Sequence, residues 1–110
     1  MSDPLRKLYK TEKNIDMTKV KNVNGSSRFE SPAGYDTWLD YWEDKSGKTA
    51  SVCSATDCFV YGRNKLVGAH VQKVNGFDNS WYIVPLCRSC NNRTDEFYVD
   101  EVLVPVPSNL

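Results

Sequence analysis

Four cysteines are the residues of this sequence whose type and spacing most directly indicate a chemistry. They form two close pairs, Cys53-x4-Cys58 and Cys87-x2-Cys90, with 28 residues between the pairs. Each short-spaced pair can supply two thiolates, and four thiolates are a common ligand set of tetrahedral structural zinc. We therefore predict a structural Zn²⁺ bound by all four cysteines. Such a site has no open coordination position for a substrate or a catalytic water.

Two other interpretations of the cysteines are considered. A disulfide framework could join them in any of three pairings, but the N-terminal residues lack the apolar core of a secretory signal. Four unrelated buried thiols would fit the paired spacing poorly. The expected location is therefore cytoplasmic, where thiols stay reduced and paired cysteines more often bind a metal.

The histidine of this chain, His70, lies in a mostly apolar segment between the two cysteine pairs. A histidine can act as a general base near neutral pH, because its pKa lies close to that pH. It can also replace a cysteine as a zinc ligand. The structural alternative is a hydrogen-bonded histidine in the core, and the residues alone leave these roles open.

The charges cancel overall but are unevenly distributed. Fourteen basic and fourteen acidic side chains give a net charge of zero, which argues against a polybasic binder. Residues 61–94 nevertheless carry five basic groups and one acidic group, between two acidic segments. This segment either presents a basic face or carries ordinary solvated charges. The longest apolar stretch, residues 81–87, is too short to span a membrane, so no membrane partner is expected.

The elements that must position these residues follow from the hydrophobic pattern. Residues 1–30 form a Lys- and Asn-rich N-terminal arm without a sustained period, which is either poorly ordered or lies across the domain. Residues 31–110 are expected to form a single α+β zinc-binding domain. A chain of this length has room for one small hydrophobic core, which a bound metal would help to stabilise.

One amphipathic, Trp-rich helix is predicted over residues 31–47. Proline is tolerated in a first helical turn, and a Ser-Gly pair is typical of a helix end. The helical spacing favours a role for Trp38 and Trp42 in the core, whereas exposure of both would indicate a protein interface. The apolar stripe consists of Tyr35, Trp38, Leu39 and Trp42.

Two strands and a second helix are expected around the cysteine pairs. Residues 66–74 are predicted to be a strand that carries His70, and residues 81–86 a buried strand that leads into the second pair. A strand-to-helix corner at Cys87 would favour thiolates at a helix N-terminus. Residues 91–98 are predicted to form a short helix. Residues 102–107 are predicted to be an edge strand, because prolines cannot donate to a ladder.

The order of these features resembles the zinc-binding branch of the HNH nucleases. The resemblance covers about residues 50–98. It implies a small zinc-stabilised treble-clef domain with an HNH-like ββα core, in which the second cysteine pair opens the helix. The matching residues are the first cysteine pair, then Gly68-Ala69-His70-Val71, then Val84-Pro85-Leu86-Cys87-Arg88-Ser89-Cys90-Asn91.

The resemblance also implies phosphodiester hydrolysis. His70 would be catalytic, taking a proton from the attacking water as a general base. A divalent ion such as Mg²⁺ would stabilise charge on the phosphate and the leaving oxygen. Basic side chains would hold the DNA or RNA backbone through its phosphates. The candidates are Arg63, Lys65, Lys73, Arg88 and Arg93.

Two positions depart from the pattern of this family. The residue before the strand histidine is usually a metal-binding Asp or His, and it is Ala69 in this chain. The family also carries a second histidine a few residues beyond the last cysteine, where the polar candidates of this chain are Asn91, Asn92 and Asp95. The catalytic metal site is therefore expected to be degenerate or divergent.

These observations lead to one main hypothesis and two alternatives. The main hypothesis is a zinc-binding, HNH-like treble-clef protein that is linked to nucleic acid and has lost or altered its nuclease site. The first alternative is an active metal-dependent HNH nuclease that uses His70 as its base. The second is a regulator that binds a protein partner through the Trp-rich helix.

Overall fold

The computed structural model of the chain describes residues 17–23, 30–74 and 78–107. These residues form an α+β structure, as expected, with an antiparallel sheet and two α-helices. A 3-10 turn at Arg63–Lys65 precedes the second strand. The elements are β1 (Thr18–Asn22), α1 (Trp38–Ser46), β2 (Leu66–Lys73), β3 (Tyr82–Cys87), α2 (Arg88–Asn91), β4 (Phe97–Val99) and β5 (Val104–Pro105).

The strands follow the order β4-β1-β2-β3-β5, and every neighbouring pair is antiparallel. The longest ladder joins β2 to β3, from the pair Leu66–Cys87 to the pair Val71–Tyr82. Strand β1 lies between β4 and β2, so the part of the N-terminal arm from 17 to 23 contributes an inner strand. Residues 1–16 and 24–29 of that arm lie outside the described residues.

One face of the sheet, here called the inner face, carries much of the hydrophobic core. The segment 54–56 closes this core, because it hydrogen-bonds to two strands that are not neighbours in the sheet. The Ser54 N–H donates to the Pro85 carbonyl in β3, and the Thr56 N–H donates to the Tyr98 carbonyl in β4, both at 2.9 Å. The buried inner-face side chains are Val20, Ala69, Val71, Val84, Leu86, Phe97 and Val99.

Helix α1 packs against β2 and β3 on the opposite, outer face. Gly68 makes this approach possible, since a Cβ there would lie 2.6 Å from the backbone nitrogen of Leu39. The Trp42 indole Nε1 donates to the Val102 carbonyl at 2.7 Å, which fixes the other side of the helix. Trp38 and Trp42 are 8% and 0% exposed, so both belong to the core.

The helix predicted over residues 31–47 ends where expected but begins later. Gly47 has a left-handed φ of 72° and closes the helix with an N–H bond to the Glu43 carbonyl. The first helical residue is Trp38, because the Thr37 side chain accepts from the Asp40 N–H as an N-cap. Residues before it form a turn, in which the Tyr35 N–H donates to the Pro32 carbonyl.

The helix predicted at residues 91–98 is wrong. Helix α2 spans Arg88–Asn91, directly after Cys87, and Phe97–Val99 form strand β4 instead. Pairing of this segment with β1 buries Phe97 and Val99, which a short solvent-exposed helix would not achieve. The predicted edge strand is confirmed over Val104–Pro105, which pair with β3. No helix of the described segments is long and apolar enough to cross a membrane.

Candidate metal centre

The four cysteines converge on one point of the fold. Their Sγ atoms all lie within 4.8 Å of one another, and the Sγ atoms of Cys58 and Cys87 are 3.8 Å apart. Zn–S bonds of 2.3 Å in a tetrahedron require sulfur–sulfur distances of about 3.8 Å. No disulfide joins these cysteines. The group therefore has the donor chemistry and the spacing to bind a metal ion such as zinc.

The first cysteine pair is held in a loop by backbone hydrogen bonds. The Cys53 N–H donates to the Val60 carbonyl at 2.9 Å, and the Cys58 N–H donates to the Ala55 carbonyl at 3.1 Å. The second of these bonds closes a tight turn, which brings Cys58 back towards Cys53. A spacer of four residues is long enough to allow this turn.

The second cysteine pair occupies the corner between β3 and α2. Cys87 is both the last residue of β3 and the N-cap of α2, and Cys90 lies one turn further on. The strand-to-helix corner predicted at Cys87 is therefore present. The β2–β3 hairpin connects the loop of the first pair to this corner, so long-range strand pairing brings the two pairs together.

Backbone N–H groups point at the sulfur atoms. The Cys87 N–H donates to Cys53 Sγ at 3.3 Å, and the Cys90 N–H donates to Cys87 Sγ at 3.4 Å. Burial raises the pKa of Cys53 to about 11 and also raises the pKa of Cys90. Burial alone would raise the pKa of Cys87 too, but hydrogen bonds from Cys90 and the neighbouring thiols lower it. A bound cation would supply the positive charge that four clustered thiolates, three of them buried, require.

Arg93 links the two segments that carry the cysteines. Its guanidinium donates to Asp57, inside the first cysteine loop, at 2.8 Å, and to Asp95 at 2.9 and 2.6 Å. It also lies 4.4 Å from the ring centroid of Phe97. These hydrogen bonds lower the pKa of both carboxyl groups. The predicted phosphate-binding role of Arg93 therefore competes with contacts that hold the metal centre together.

Asn22 connects β1 to the same centre. Its Nδ2 donates to the carbonyl oxygens of Cys90 at 3.0 Å and of Arg93 at 2.9 Å. The Cys90 carbonyl lies in α2, and the Arg93 carbonyl lies two residues beyond the end of this helix. A residue 31 positions before the first cysteine thus fixes the helix that carries the last one.

The other predicted nucleic-acid residues fall into two groups. Arg63 donates to Glu43 at 3.0 to 3.1 Å and also contacts Asp40, so acidic residues of α1 occupy its guanidinium. Lys73 lies 3.9 Å from Asp78 and 4.7 Å from the ring centroid of Tyr82. Lys65 and Arg88 are exposed.

Lys65 and Arg88 lie together at one end of the β2–β3 hairpin. Lys65 directly precedes Leu66, and Arg88 directly follows Cys87. Leu66 and Cys87 are register partners in the β2–β3 ladder. Within the described ranges, neither cation is engaged in an ion pair. The structure therefore brings together two of the five predicted residues as available positive charges.

His70 is buried on the outer face, beneath α1. It is 4% exposed, and its ring centroid lies 4.8 Å from that of Trp38 and 6.1 Å from that of Trp81. Burial lowers its pKa to about 4, so the imidazole is neutral at physiological pH. In the described part of the chain, His70 belongs to no group of three or more potential metal ligands. Its surroundings are those of a packed core histidine.

Sequence reasoning did not predict the supporting contacts of three residues next to the metal centre, namely Asn22, Asp57 and Asp95. Asp57 lies within the first cysteine loop, and Arg93 and Asp95 lie shortly after the second pair. Acidic and basic residues next to both cysteine pairs could have predicted the ion pairs of Arg93 with Asp57 and Asp95. Nothing in the sequence of the arm indicates the role of Asn22, because its partners are more than 60 residues away.

Comparison of this chain with protein-family models, with curated proteins and with solved structures gives no match. The functional conclusion therefore depends on the geometry of the site and of the surrounding surface.

Proposed function

We propose that this protein is a zinc-stabilised, HNH-like treble-clef module that associates with nucleic acid and does not cut it. The observation that carries the proposal is the cluster of four Sγ atoms within 4.8 Å of one another. The cysteines would hold Zn²⁺ as a structural ion that crosslinks a loop and a helix. Four sulfur ligands leave no position for a substrate.

The arrangement of elements supports the treble-clef part of this proposal. A cysteine-bearing loop comes first, the β2–β3 hairpin follows, and the second cysteine pair opens α2. This is the order that the resemblance implies for a ββα unit. Helix α2 has only four residues, so the resemblance is strongest at the metal site and weakest beyond it.

The environment of His70 supports a module without catalysis. A general base must reach the proton that it removes, directly or through one water. His70 is 4% exposed and lies beside the rings of Trp38 and Trp81, so its imidazole has little contact with the solvent that would supply an attacking water. The position before it is Ala69, which has no metal ligand to offer.

The metal is tested by counting ions and by removing a ligand. We expect one zinc per chain by native mass spectrometry, and cobalt substitution should give the thiolate charge-transfer bands of a four-sulfur site. Cys87→Ser should lose the ion and the dispersion of the NMR spectrum, whereas Ser89→Ala, between the two ligands, should keep both. Unchanged dispersion after chelation of the metal would contradict a structural ion.

The active-nuclease alternative is tested by plasmid nicking. Zinc-loaded protein with added Mg²⁺, Mn²⁺ or Ni²⁺ should leave plasmid DNA intact. Cutting that disappears in a folded His70→Gln variant would establish the nuclease and overturn the non-catalytic proposal. Cutting that persists unchanged in that variant would show that His70 is not its base.

The nucleic-acid link rests on the exposed cations at the end of the hairpin. Among the five predicted residues, Lys65 and Arg88 are the two that form no ion pair with an acidic side chain in the part of the chain that the structure describes. Phosphate contacts of this kind make binding weaken as salt increases.

The protein-binding regulator loses its distinguishing feature, since Trp38 and Trp42 are buried rather than displayed.

A further inference from the structure

Within the residues that the structure describes, α1 packs on the outer face of the sheet over β2, β3 and β5, and it makes no comparable contact with β1 or β4. Along β1 and β4, successive side chains point in turn into the core and towards solvent. Lys19 pairs with Tyr98, and Lys21 pairs with Gln72, so these side chains share the outer side of the sheet. We call this surface the open face; it consists of Lys19, Lys21, Gln72 and Tyr98, together with Met17 and Trp81, which directly precede β1 and β3 and continue the alternation of these strands.

The open face displays large side chains that a folded domain normally buries. Met17 is 51% exposed and Tyr98 is 48% exposed, and they are two of the four large exposed apolar side chains in the described residues. Trp81 is half-buried and lines a cavity of about 500 Å³ together with Lys21, Gln72 and Arg93. An exposed tyrosine and a half-buried tryptophan on either side of two lysines give a ligand two rings and a positive charge to contact.

The two aromatic side chains lie on opposite sides of the lysines. Tyr98 is in β4 and Trp81 immediately precedes β3, so β1 and β2 lie between them. Three strand spacings of about 4.8 Å separate them by about 14 Å across the sheet. The edge contact of Trp81 with the buried ring of His70 helps to fix its orientation. The spacing leaves room for several nucleotides.

The charge of the open face is positive. Its six residues include two lysines and no acidic residue, while two acidic residues lie at its margin: Glu96, which is 3.5 Å from Lys19, and Asp78, which lines a small cavity with Lys21 and Gln72. Lys21 is exposed and makes no ion pair with any of the residues that the structure describes. Lys19 lies 5.9 Å from the ring centroid of Tyr98, so cation and aromatic ring are adjacent.

We propose that the open face binds single-stranded nucleic acid, with bases stacked on Tyr98 and Trp81 and a phosphate held by Lys21, which forms no ion pair within the described residues. Positively charged surfaces with interleaved aromatic rings bind single strands in this way, because every base has a face that can stack. Base pairing and stacking hide those faces in a duplex, so the face discriminates against double strands. The proposal rests on the nucleic-acid link proposed above and gives it a substrate class.

The test measures the anisotropy of a labelled oligothymidylate and of a labelled hairpin duplex with zinc-loaded protein. The single strand should bind more tightly than the duplex. Tyr98→Ala should weaken single-strand binding at least about fivefold, since a stacked base contributes that much. In a plot of the logarithm of the binding constant against the logarithm of the salt concentration, Lys21→Gln should make the slope shallower by about 0.7, because one phosphate contact is lost.

Matched controls separate these effects from general ones. Tyr61→Ala removes a tyrosine that is 52% exposed outside the open face, and Lys45→Gln removes an exposed lysine of α1. Both should leave binding within twofold of the wild type. Each variant must keep one zinc per chain and the wild-type NMR dispersion, which excludes a loss of fold.

Three outcomes would overturn part of the argument in distinguishable ways. If Lys65→Gln with Arg88→Gln abolishes binding while Tyr98→Ala and Lys21→Gln do not, nucleic acid binds elsewhere and the open face is refuted. Equal affinity for the duplex, or for a poly-glutamate peptide, would refute base stacking. If the wild-type protein binds no nucleic acid, the proposed nucleic-acid link fails, and the zinc centre still stands on its own test.

Discussion

Arg93 lies three residues after Cys90, and its guanidinium contacts carboxylates on both sides of the metal centre. The type of this residue suggests phosphate binding, but two acidic partners and the ring of Phe97 already surround it. The surroundings of His70 likewise determine what its side chain can do. Its type suggests a general base, whereas burial lowers its pKa to about 4 and removes it from solvent.

Replacing Arg93 should therefore weaken the metal centre. Arg93→Gln should destabilise the zinc-loaded protein by about 1 kcal/mol, because its carboxylate partners are largely exposed and solvent screens such pairs. Metal affinity, measured by competition with a chromogenic chelator, should fall as well. Arg88→Gln makes the same change of charge on the exposed side of α2 and should affect neither quantity. Equal effects of the two variants would argue against a specific supporting role of Arg93.

The buried His70 should make the folded state sensitive to acid. Its pKa is lower in the folded state, about 4, than the value near 6.5 of an exposed histidine. The unfolded chain therefore binds the proton more readily, and stability is lost as the pH falls from about 6.5 to about 4. The loss due to His70 is at most about 3 kcal/mol.

The measurement is urea unfolding of the wild type and of His70→Gln at several pH values. Glutamine does not titrate, so the pH slope between 6.5 and 4 should be smaller in the variant. Acid also protonates the metal-binding thiolates, and subtraction of the variant removes that common contribution. Parallel slopes for the two proteins would contradict the buried, neutral state of His70.

At the scale of elements, α1 and the β2–β3 hairpin depend on one another. The helix supplies Trp38, Leu39 and Trp42 to the core, and β2 accommodates its first turn at Gly68. A side chain at this position would meet backbone atoms of the helix, which cannot rotate away. The close contact fixes where the helix starts on the sheet and which residues it covers, His70 among them.

Gly68→Ala should therefore displace α1 from the sheet. The added Cβ would lie 2.6 Å from backbone atoms of Trp38 and Leu39, and such overpacking typically costs about 1 to 3 kcal/mol. The near-ultraviolet circular dichroism of the tryptophans should change along with the melting temperature. Gly34→Ala is the control, since it has a positive φ of 94° but open space around it. It should lower stability by backbone strain alone and leave the tryptophan signal unchanged.

At the scale of the whole molecule, residues from both ends of the described chain complete one sheet. Strand β1 lies between β2 and β4, and Val20 in it is fully buried. Asn22 extends this dependence to the metal centre through its bonds to the end of α2. The fold and the ligand cluster thus require contacts between parts of the chain that are far apart in sequence.

A fragment of residues 31–110 should not reach the folded state of the full chain. It lacks β1, which would leave β4 without its partner strand and remove Val20 from the core. We expect poor NMR dispersion and weaker zinc binding than in the full chain. The full-length variant Val20→Asp buries a charge at the same place and should be destabilised in the same direction. A well-dispersed fragment with wild-type zinc affinity would show that β1 is dispensable.

The sequence alone determined the features that depend on local spacing. Two short-spaced cysteine pairs predict a metal site, the spacing of Trp38, Leu39 and Trp42 predicts one face of a helix, and Gly47 predicts its end. The hairpin and its link to the second pair were also predicted, because alternation and apolar runs arise within a few residues. These patterns need no knowledge of the rest of the chain.

Only the tertiary structure decided which charges are available and which groups are buried. Arg63 and Arg93 have the same formal charge as Lys65 and Arg88, but distant carboxylates occupy the first two. The short segment 97–99 became a strand because β1 was there to pair with it. Such outcomes depend on contacts across dozens of residues, whose energies outweigh the weak local preferences of an arm, a loop or a three-residue strand.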